Sequence, residues 1–542
     1  MMKKRIFSVV FTAFATVILL TACSKKSNKQ GRYIPENAGF VVHINGEALN
    51  NKLTWDEIKQ NEFFKEMYKD SAHSAFAKTI LDNPENSGVN IKSDLIIFMV
   101  KDTANSFAVI EGIIKDQAKF KQMLKDANKD ATETVKNEFT FFANENTCVA
   151  YNKEIFIATT KANDMNKSLG NSNFSSITNA ENLIALKEGI SLGRNEKFSA
   201  LIAEKADAHF WINAQHLNVG DGLSGMAAMA NLNKLYDGAI TAGTINFENG
   251  KININAKSYA GKEITDLYKK YSGGNIDNTM IKNIPSQNVA GLFALHFKPE
   301  GIKELLKILN IDGLVNLGAS QTGFNLDDFI KANKGDILFA VTDLKKDSTD
   351  FGANANYIFA ASIGEKNSFN KLINAAKKMS TPMLGATAMT EKISFNTNEK
   401  YFVLSNNKTN TDAYLTGSAN STYSFLDKIT GGSFGGYVNF QYVINNFQQN
   451  KNTTSFSTEQ YNANIKMWDN LLISGGNFKD GAINQHWEIN LMDKTTNSLK
   501  QLNNYTGIMA AIDKKKKLAD IEKWKTEDVM ADEKMLPLPT EK

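Results

Sequence analysis

The chain has 542 residues, and its 62 Lys and Arg are almost balanced by 58 Asp and Glu. No basic patch or stripe stands out before the C-terminal segment, which excludes ordinary nucleic-acid binders. Hydrophobic residues make up 42% of the chain, so a protein of this length can fill more than one core.

The first 22 residues have the pattern of an export signal. Lys3, Lys4 and Arg5 precede an uncharged run from 6 to 20 that is too short to span a bilayer comfortably. Leu20-Thr21-Ala22-Cys23 resembles the bacterial lipobox. That resemblance implies cleavage before Cys23 and lipidation of its sulfur by a diacylglycerol group. The alternative is an ordinary signal peptide with an incidental cysteine.

The segment 23–33 is polar and predicts a flexible tether between the lipid and the folded body. The expected partner at this end is therefore a membrane, reached through the N-terminal lipid. Cys23 is not followed by an acidic run of the kind that directs some lipoproteins to the cell surface. We therefore expect an outer-membrane lipoprotein on the periplasmic face. With Cys23 lipidated, Cys148 has no disulfide partner and is expected to be a buried, inert thiol.

Strand and helix patterns alternate over 34–262. Strands are predicted at 40–44, 95–100, 107–110, 139–142, 154–157 and 209–212, and a helical stripe is formed by Phe120, Met123, Leu124 and Ala127. The dipeptide Asn249-Gly250 predicts a β-hairpin between 239–247 and 251–259.

A similar order recurs over 280–496. Strands are predicted at 289–297, 337–341, 357–359, 393–395 and 401–404, and the helical stripe returns as Phe369, Leu372, Ile373 and Ala376, about 250 residues later. Asp480-Gly481 predicts a closing hairpin. The sequence therefore predicts an α+β protein built by tandem duplication. Each copy would be a ferredoxin-like βαββαβ unit extended by an antiparallel meander, followed by a charged C-terminal tail at 497–542.

The opening Ile-Pro-x-x-Ala-x-Phe-Val-Val at 34–42, together with the lipobox, the tether and the α+β pattern, resembles Bacteroidetes lipoproteins of the domain-of-unknown-function 4836 family. The resemblance covers the whole chain. It implies a cell-envelope location and supplies no activity.

Three short motifs could carry chemistry, and each lacks its required context. Gly220, Gly222 and Gly225 fit a dinucleotide fingerprint, but the next strand turns into a hairpin. Ser433 fits a nucleophile elbow with helix and strand in reversed order. Ser368 begins Ser-x-x-Lys, where a helix N-cap is expected. We therefore predict no catalytic residue.

The six histidines show no metal-binding spacing, so no metal and no cofactor are expected. His43 and His296 occupy equivalent first-strand positions of the two predicted copies. Inheritance through duplication explains this coincidence, and a symmetric site across the copies is the alternative.

The sequence favours a non-enzymatic envelope lipoprotein with a binding or structural role. An envelope hydrolase acting on glycan or peptide is the alternative. Tyr423, Phe434 and Tyr437 lie among glycines in the second predicted copy. They are candidate contacts for a glycan or an envelope protein, and core packing of the same aromatics is the competing interpretation.

Overall fold

The computed structural model describes residues 31–70, 75–101, 106–162, 174–217, 231–313, 315–316, 323, 325–344, 355–383, 393–447 and 458–533. The predicted signal peptide, Cys23 and the glycine motif at 220–225 lie outside these residues.

Eighteen strands form one continuous sheet in which every pairing is antiparallel. The strands are β1 Ala38–Ile44, β2 Leu95–Val100, β3 Phe107–Ile113, β4 Thr132–Lys136, β5 Phe139–Ala143, β6 Thr147–Tyr151, β7 Ile155–Lys161, β8 Ala208–Asn213, β9 Ile240–Glu248, β10 Lys251–Tyr259, β11 Val289–His296, β12 Asn333–Thr342, β13 Asn356–Ile363, β14 Ser394–Thr397, β15 Tyr401–Ser405, β16 Phe434–Asn439, β17 Trp468–Lys479 and β18 Ala482–Leu491.

The pairings give the spatial order β4-β5-β6-β7-β3-β2-β1-β8-β9-β10-β18-β17-β16-β11-β12-β13-β15-β14. Both predicted hairpins are confirmed. Gly250 closes the first with φ +68°, and Asp480 and Gly481 close the second with φ +54° and +78°. A Cβ on Gly250 would lie 2.5 Å from the Cα of Lys494, so this turn also needs glycine for close approach of the backbone.

The described α-helices pack on both sides of the sheet and leave part of its central strands uncovered. They are α1 Gly46–Asn50, α2 Trp55–Lys59, α3 Glu62–Asp70, α4 Ala75–Asp82, α5 Gln117–Ala127, α6 Ser176–Ile184, α7 Glu196–Ala203, α8 Asn233–Tyr236, α9 Lys262–Tyr271, α10 Asn278–Lys282, α11 Pro299–Ile308, α12 Leu326–Ala332, α13 Lys366–Met383, α14 Lys408–Thr416, α15 Leu426–Ile429, α16 Phe440–Phe447, α17 Thr458–Met467 and α18 Ser498–Glu533. In the described part of the chain, no helix combines the length and the hydrophobicity that a membrane span requires.

Residues paired directly across antiparallel strands point to the same face of a sheet, which divides this sheet into two faces. Face A carries Val41 and Trp211 towards one end and Leu292 towards the other, in two separate core clusters. Face B carries Ile110 at one end and Phe402 at the other, again in two clusters. On both faces the central strands lie between the two cores.

The predicted ferredoxin-like duplication is wrong. In a split βαβ unit, the two strands joined by a helix are parallel and separated by another strand. Here β1 and β2, which are joined through α1–α4, pair directly and antiparallel, as do β11 and β12. The two predicted copies are also not separate units, because β10 pairs with β18 from Lys251 to Ser258 and makes one sheet of both.

The predicted C-terminal tail is helical from Ser498 to Glu533. Its first turns pack against α3 and α17, and residues 534–542 lie outside the described part of the chain.

Candidate functional site

The three predicted ligand-contact aromatics do not form one surface. Tyr423 is buried, and its hydroxyl donates to the carbonyl oxygens of Ile284 at 3.2 Å and Ser286 at 2.6 Å. Phe425 stacks between Tyr423 and Tyr437, with ring centroids 5.0 and 3.9 Å away. Tyr437 is half-buried against this core on face A, and burial raises its pKa to about 12.

Phe434 lies on face B of the same strand, because it precedes Tyr437 by three positions, an odd number, and side chains alternate along a strand. It is half-buried and belongs to none of the core clusters. We predicted that Phe434 lies on a glycine-rich loop, but it lies on a strand, β16, which pairs with β11 and β17. Of the three aromatics, Phe434 is therefore the one not committed to packing.

His43 and His296 have different partners, and the alternative of a symmetric site formed by these two histidines is not found. His43 Nδ1 lies 3.0 Å from Nδ1 of His209 on the neighbouring strand, and its Nε2 lies 3.3 Å from Asp94. His296 instead pairs with Asp336 at 2.8 Å. His209 Nε2 lies 2.9 Å from the carbonyl oxygen of Glu204, and burial lowers the pKa of His209.

The remaining reactive side chains are also held in structural roles. Cys148 is buried, and desolvation raises the pKa of its thiol to about 12, which confirms an inert cysteine. Ser433 is buried in the loop before β16, so a strand follows it directly, whereas a nucleophile elbow requires a helix at that point. Ser368 lies inside the first turn of α13, rather than at its N-cap, and donates to Glu365 at 3.1 Å.

A groove opens on face A where the two core clusters stop. Its volume is about 320 Å³. The floor is formed by β10 and β18, which meet along the β10–β18 pairing, and α7 forms one wall. Gly431, which follows α15, and part of β17 form the opposite wall. The groove therefore collects residues from four distant parts of the chain.

Helix α7 is fixed on face A by its own sequence. The Asn195 side chain caps the helix by accepting from the backbone amides of Lys197 and Phe198. Phe198 is buried edge-on against Trp211, with ring centroids 5.6 Å apart. This packing leaves Lys197 and Glu204, seven residues apart and so on one side of the helix, facing the groove.

The floor is polar because β10 and β18 alternate. Asn255 and Lys257 on β10, and Asn484 and His486 on β18, all point to face A. Ala256 and Gln485, which lie between these residues, point to face B, as do the neighbouring Ile254 and Trp487. His486 Nδ1 lies 2.8 Å from Asn255 Oδ1.

Two lysines line the groove in different electrostatic settings. Lys257 forms an ion pair with Glu204 at 2.7 Å, and this hydrogen bond raises the pKa of Lys257. Lys197 lies over the ring of Tyr259, 4.4 Å from its centroid, a cation–π geometry. Among the described residues Lys197 has no carboxylate partner within ion-pair distance. It is the uncompensated positive charge of the groove.

A glycine bulge shapes the wall formed by β17. The pairing with β18 shifts between Gly475 and Asn477, and Gly476 has φ +95°. A Cβ on Gly476 would collide with the hydroxyl of Ser433. The bulge turns Asn477 towards the loop, where its amide donates to the carbonyl of Gly431 at 3.2 Å.

The side chains that line the groove are suited to binding a ligand through hydrogen bonds and charge. Glu204 is the one carboxylate among the residues that line it, and Lys257 already holds it. Among the described residues no cluster of three or more His, Cys, Asp or Glu could hold a metal ion. Amide, hydroxyl, imidazole and ammonium groups remain, and all of them can bind a polar ligand.

Reasoning from sequence missed this groove. Lys197, Asn255 and His486 come from separate segments and form no short motif. The available signal was the alternation of β10 and β18, mainly polar on one face and mainly apolar on the other. It indicates a polar face, but it does not show that the two strands are neighbours.

No curated protein matches the chain. Among solved structures, crystal form I of TP0453 is 10% identical, with 44% of this chain and 81% of that chain covered and a TM-score of 0.25. Crystal form IV of TP0453 is also 10% identical, with 42% and 83% covered and a TM-score of 0.24. TM-scores this low do not identify a common fold. The family model described as "Domain of unknown function (DUF4836)" matches residues 31–424, more than half of the chain, and the protein therefore belongs to that family.

Proposed function

We propose that the protein is a non-enzymatic binding protein of the cell envelope, held at the outer membrane of a Bacteroidetes cell by a lipid on Cys23. Its ligand is an acidic glycan, bound in the groove between α7 and the β10–β18 floor. The observation that carries this proposal is the uncompensated ammonium of Lys197 above a floor of amides.

The side chains of the floor suit a ligand rich in hydroxyl groups. Asn255 and Asn484 each carry both a donor and an acceptor, as does each hydroxyl of a sugar. Tyr259 adds an aromatic ring at the edge of the groove, and such rings contact the apolar faces of sugars. A volume of about 320 Å³ lies at the small end of ligand pockets, which suits a short saccharide.

The charge of the groove favours an acidic sugar over a neutral one. The ion pair with Glu204 neutralises Lys257, whereas Lys197 is balanced only by the weak attraction of the Tyr259 ring. A sugar carboxylate placed beside Lys197 would complete a charge-assisted hydrogen bond.

The alternative, an envelope hydrolase, finds no support in the groove. Glycosidases of the common type need two carboxylates that flank the scissile bond. Glu204 is the single carboxylate lining this groove, and its ion pair with Lys257 holds it away from the role of a general acid.

The test compares two forms of one saccharide. Binding of the disaccharide N-acetylglucosaminyl-N-acetylmuramic acid and of its carboxyl-amidated form is measured by titration calorimetry. We expect the wild-type protein to prefer the acid. Lys197→Gln should weaken binding of the acid about tenfold or more, the usual size of one charge-assisted hydrogen bond, and leave binding of the amide nearly unchanged.

Lys205→Gln is the matched control, because Lys205 is exposed just beyond the end of α7 and does not line the groove. Lys205→Gln also removes one positive charge, and it should leave the affinities for the acidic and for the amidated saccharide unchanged. Equal loss in both variants, or a wild-type protein that binds neither saccharide, contradicts the proposal.

A further inference from the structure

On the opposite side of the central strands, face B carries a row of six apolar side chains and one glycine that crosses seven neighbouring strands. We name this row the apolar strip. Direct pairings connect its members in the order Ile245, Ile254, Trp487, Ile473, Gly436, Phe293 and Phe339.

The rows on either side of the strip are apolar too. One row holds Phe247, Ile252, Ile489, Leu471, Val438, Gly291 and Val341, and the other holds Gly243, Ala256, Gln485, Gly475, Phe434, Leu295 and Ile337. The three rows contain no charged side chain, and Gln485 is their single polar member. Phe434, the sequence-predicted ligand contact, belongs to this surface.

The strip is not buried by the described helices. Phe293, Phe339 and Trp487 are 46%, 43% and 36% exposed. The three isoleucines of the strip are half-buried, and no member of the strip belongs to any of the five core clusters. Taking about 200 Å² for a fully exposed aromatic side chain, the three aromatics alone leave about 250 Å² of apolar surface in contact with water.

This pattern is the reverse of an ordinary one-sided sheet. Where an antiparallel sheet has a wet face, that face is usually polar, and the apolar face lies on the core. In β9, β10 and β18 the polar side chains do occupy face A. Their apolar partners on face B meet no complete protein layer. A contiguous apolar surface of this kind marks a binding site.

We propose that the apolar strip binds the acyl chains of a lipid. The strip offers no charge and no free strand edge, since all seven of its strands pair on both sides. A polypeptide partner would bring polar backbone and a polar rim that nothing here satisfies. An acyl chain brings neither.

The dimensions of the strip agree with this occupant. Six gaps of about 4.8 Å between strands give a length of about 29 Å. This is close to the ~30 Å thickness of bilayer hydrocarbon, which two acyl chains placed end to end fill. Six of the seven strands contribute a side chain to the strip, Gly436 being the exception, and the three exposed aromatics all lie in this one row rather than in the flanking rows. The exposed apolar surface is therefore elongated, and it matches a chain-like ligand better than the compact patch of a globular partner. The proposal is independent of the glycan groove, which lies on the other face.

The probe for the test is 11-(dansylamino)undecanoic acid, a fluorescent fatty acid used as a monomer in solution. The full-length mature protein should bind it and enhance its emission. The double substitution Phe293→Thr with Phe339→Thr should weaken binding at least tenfold. The matched control is Phe395→Thr. Phe395 is similarly exposed, at 47%, but it lies on the edge strand β14, outside the strip and near the cluster under α13. This change should leave the affinity for the probe within about twofold of the wild-type value.

A second measurement locates the probe and does not depend on the double variant folding. Energy transfer from tryptophan to the bound dansyl group should be strong in the wild-type protein. It should fall sharply in Trp487→Phe, since Trp487 is the tryptophan of the strip. Unchanged transfer in Trp487→Phe, or undiminished probe binding by a folded double variant, overturns the proposal. A wild-type dimer that becomes a monomer in the double variant also overturns it, because the occupant would then be a second copy of the chain.

Discussion

Glu111 places an ionisable side chain among the core residues of the sheet. It lies on face A, paired between Ile96 and Ile157, in a part of the sheet otherwise filled by core side chains. Its Oε2 atom is buried without a hydrogen-bond partner. Desolvation raises the pKa of this carboxyl to about 8, so Glu111 is mostly protonated at neutral pH.

The first prediction concerns the effect of this residue on stability against pH. Between the unfolded pKa near 4.5 and the folded value near 8, the unfolded chain loses its proton first and gains from ionisation. The wild-type free energy of unfolding should therefore fall as pH rises from 5 to 8, by up to about 3 kcal/mol at ~1.4 kcal/mol per pKa unit. Glu111→Gln should remove this slope in urea denaturation measured at both pH values.

Glu138→Gln is the control for this experiment, because Glu138 is exposed in the turn between β4 and β5. It should leave the pH dependence as it is in the wild type. A wild-type stability that is flat or rising between pH 5 and 8, with Glu111→Gln parallel to it, would show that Glu111 is ionised in the folded protein.

At the scale of elements, α18 joins parts of the chain that are far apart in sequence. On one side Asn61, at the start of α3, donates its amide to the carbonyl and the side chain of Asn503. On the other side, the Tyr505 hydroxyl donates to Asn464 of α17 at 2.6 Å. The exposed lysine–glutamate pairs along the same helix add little, because solvent screens them. The buried polar contacts and the ring packing of Tyr505 on Trp468 hold α18 in place.

The second prediction tests that attachment. Asn61 is 9% exposed and makes both donor and acceptor contacts, including acceptance from the Phe63 amide at 2.8 Å. Asn61→Ala should lower the free energy of unfolding by about 1–3 kcal/mol, because it leaves buried backbone groups without partners. Asn374→Ala, at an exposed position of α13, should stay within about 0.5 kcal/mol of wild type. Equal midpoints in urea for all three proteins would show that the Asn61 contacts do not anchor α18.

At the scale of the whole molecule, the expected lipid on Cys23 decides where the protein resides. The third prediction is that Cys23→Ala moves the protein from the membrane fraction to the soluble fraction and abolishes incorporation of labelled palmitate. Several acyl chains are needed for stable anchoring, at ~0.8 kcal/mol for each buried methylene. Cys148→Ala is the matched control, since that thiol is buried and inert, and it should remain with the membrane. Undiminished membrane pelleting of Cys23→Ala would show that another feature holds the protein there.

Local sequence patterns predict the elements of this molecule better than their arrangement. The stripe around Phe120 and the turn at Asn249-Gly250 depend on neighbours within a few residues, and both are found where predicted. The pairing of β10 with β18 depends on partners more than two hundred residues away. Periodicity does not identify such partners, and for this reason a repeated order of elements wrongly suggested a tandem duplication of a ferredoxin-like unit.

The same limit applies to the candidate sites. The sequence around Tyr423 is typical of an exposed, glycine-rich loop. In the structure its hydroxyl donates to the carbonyl oxygens of Ile284 and Ser286, and its ring belongs to the core. The groove and the apolar strip exist only because β10 and β18 meet. Each strand alone displays ordinary alternation, and a continuous polar or apolar surface arises only from their register.

The pairing of β10 with β18 also determines when the sheet can be completed during synthesis. Lys251 pairs with Asn490, so the open edge of β10 cannot be covered until the ribosome has produced nearly the whole chain. At about 5–20 residues per second, the intervening segment takes roughly 12 to 48 seconds to appear. Throughout that time the first half presents an unpaired strand edge, a surface prone to association with other chains. A chain that stays unfolded until β18 has been synthesised avoids presenting this edge, and completion of β18 becomes the event that commits the protein to its native state.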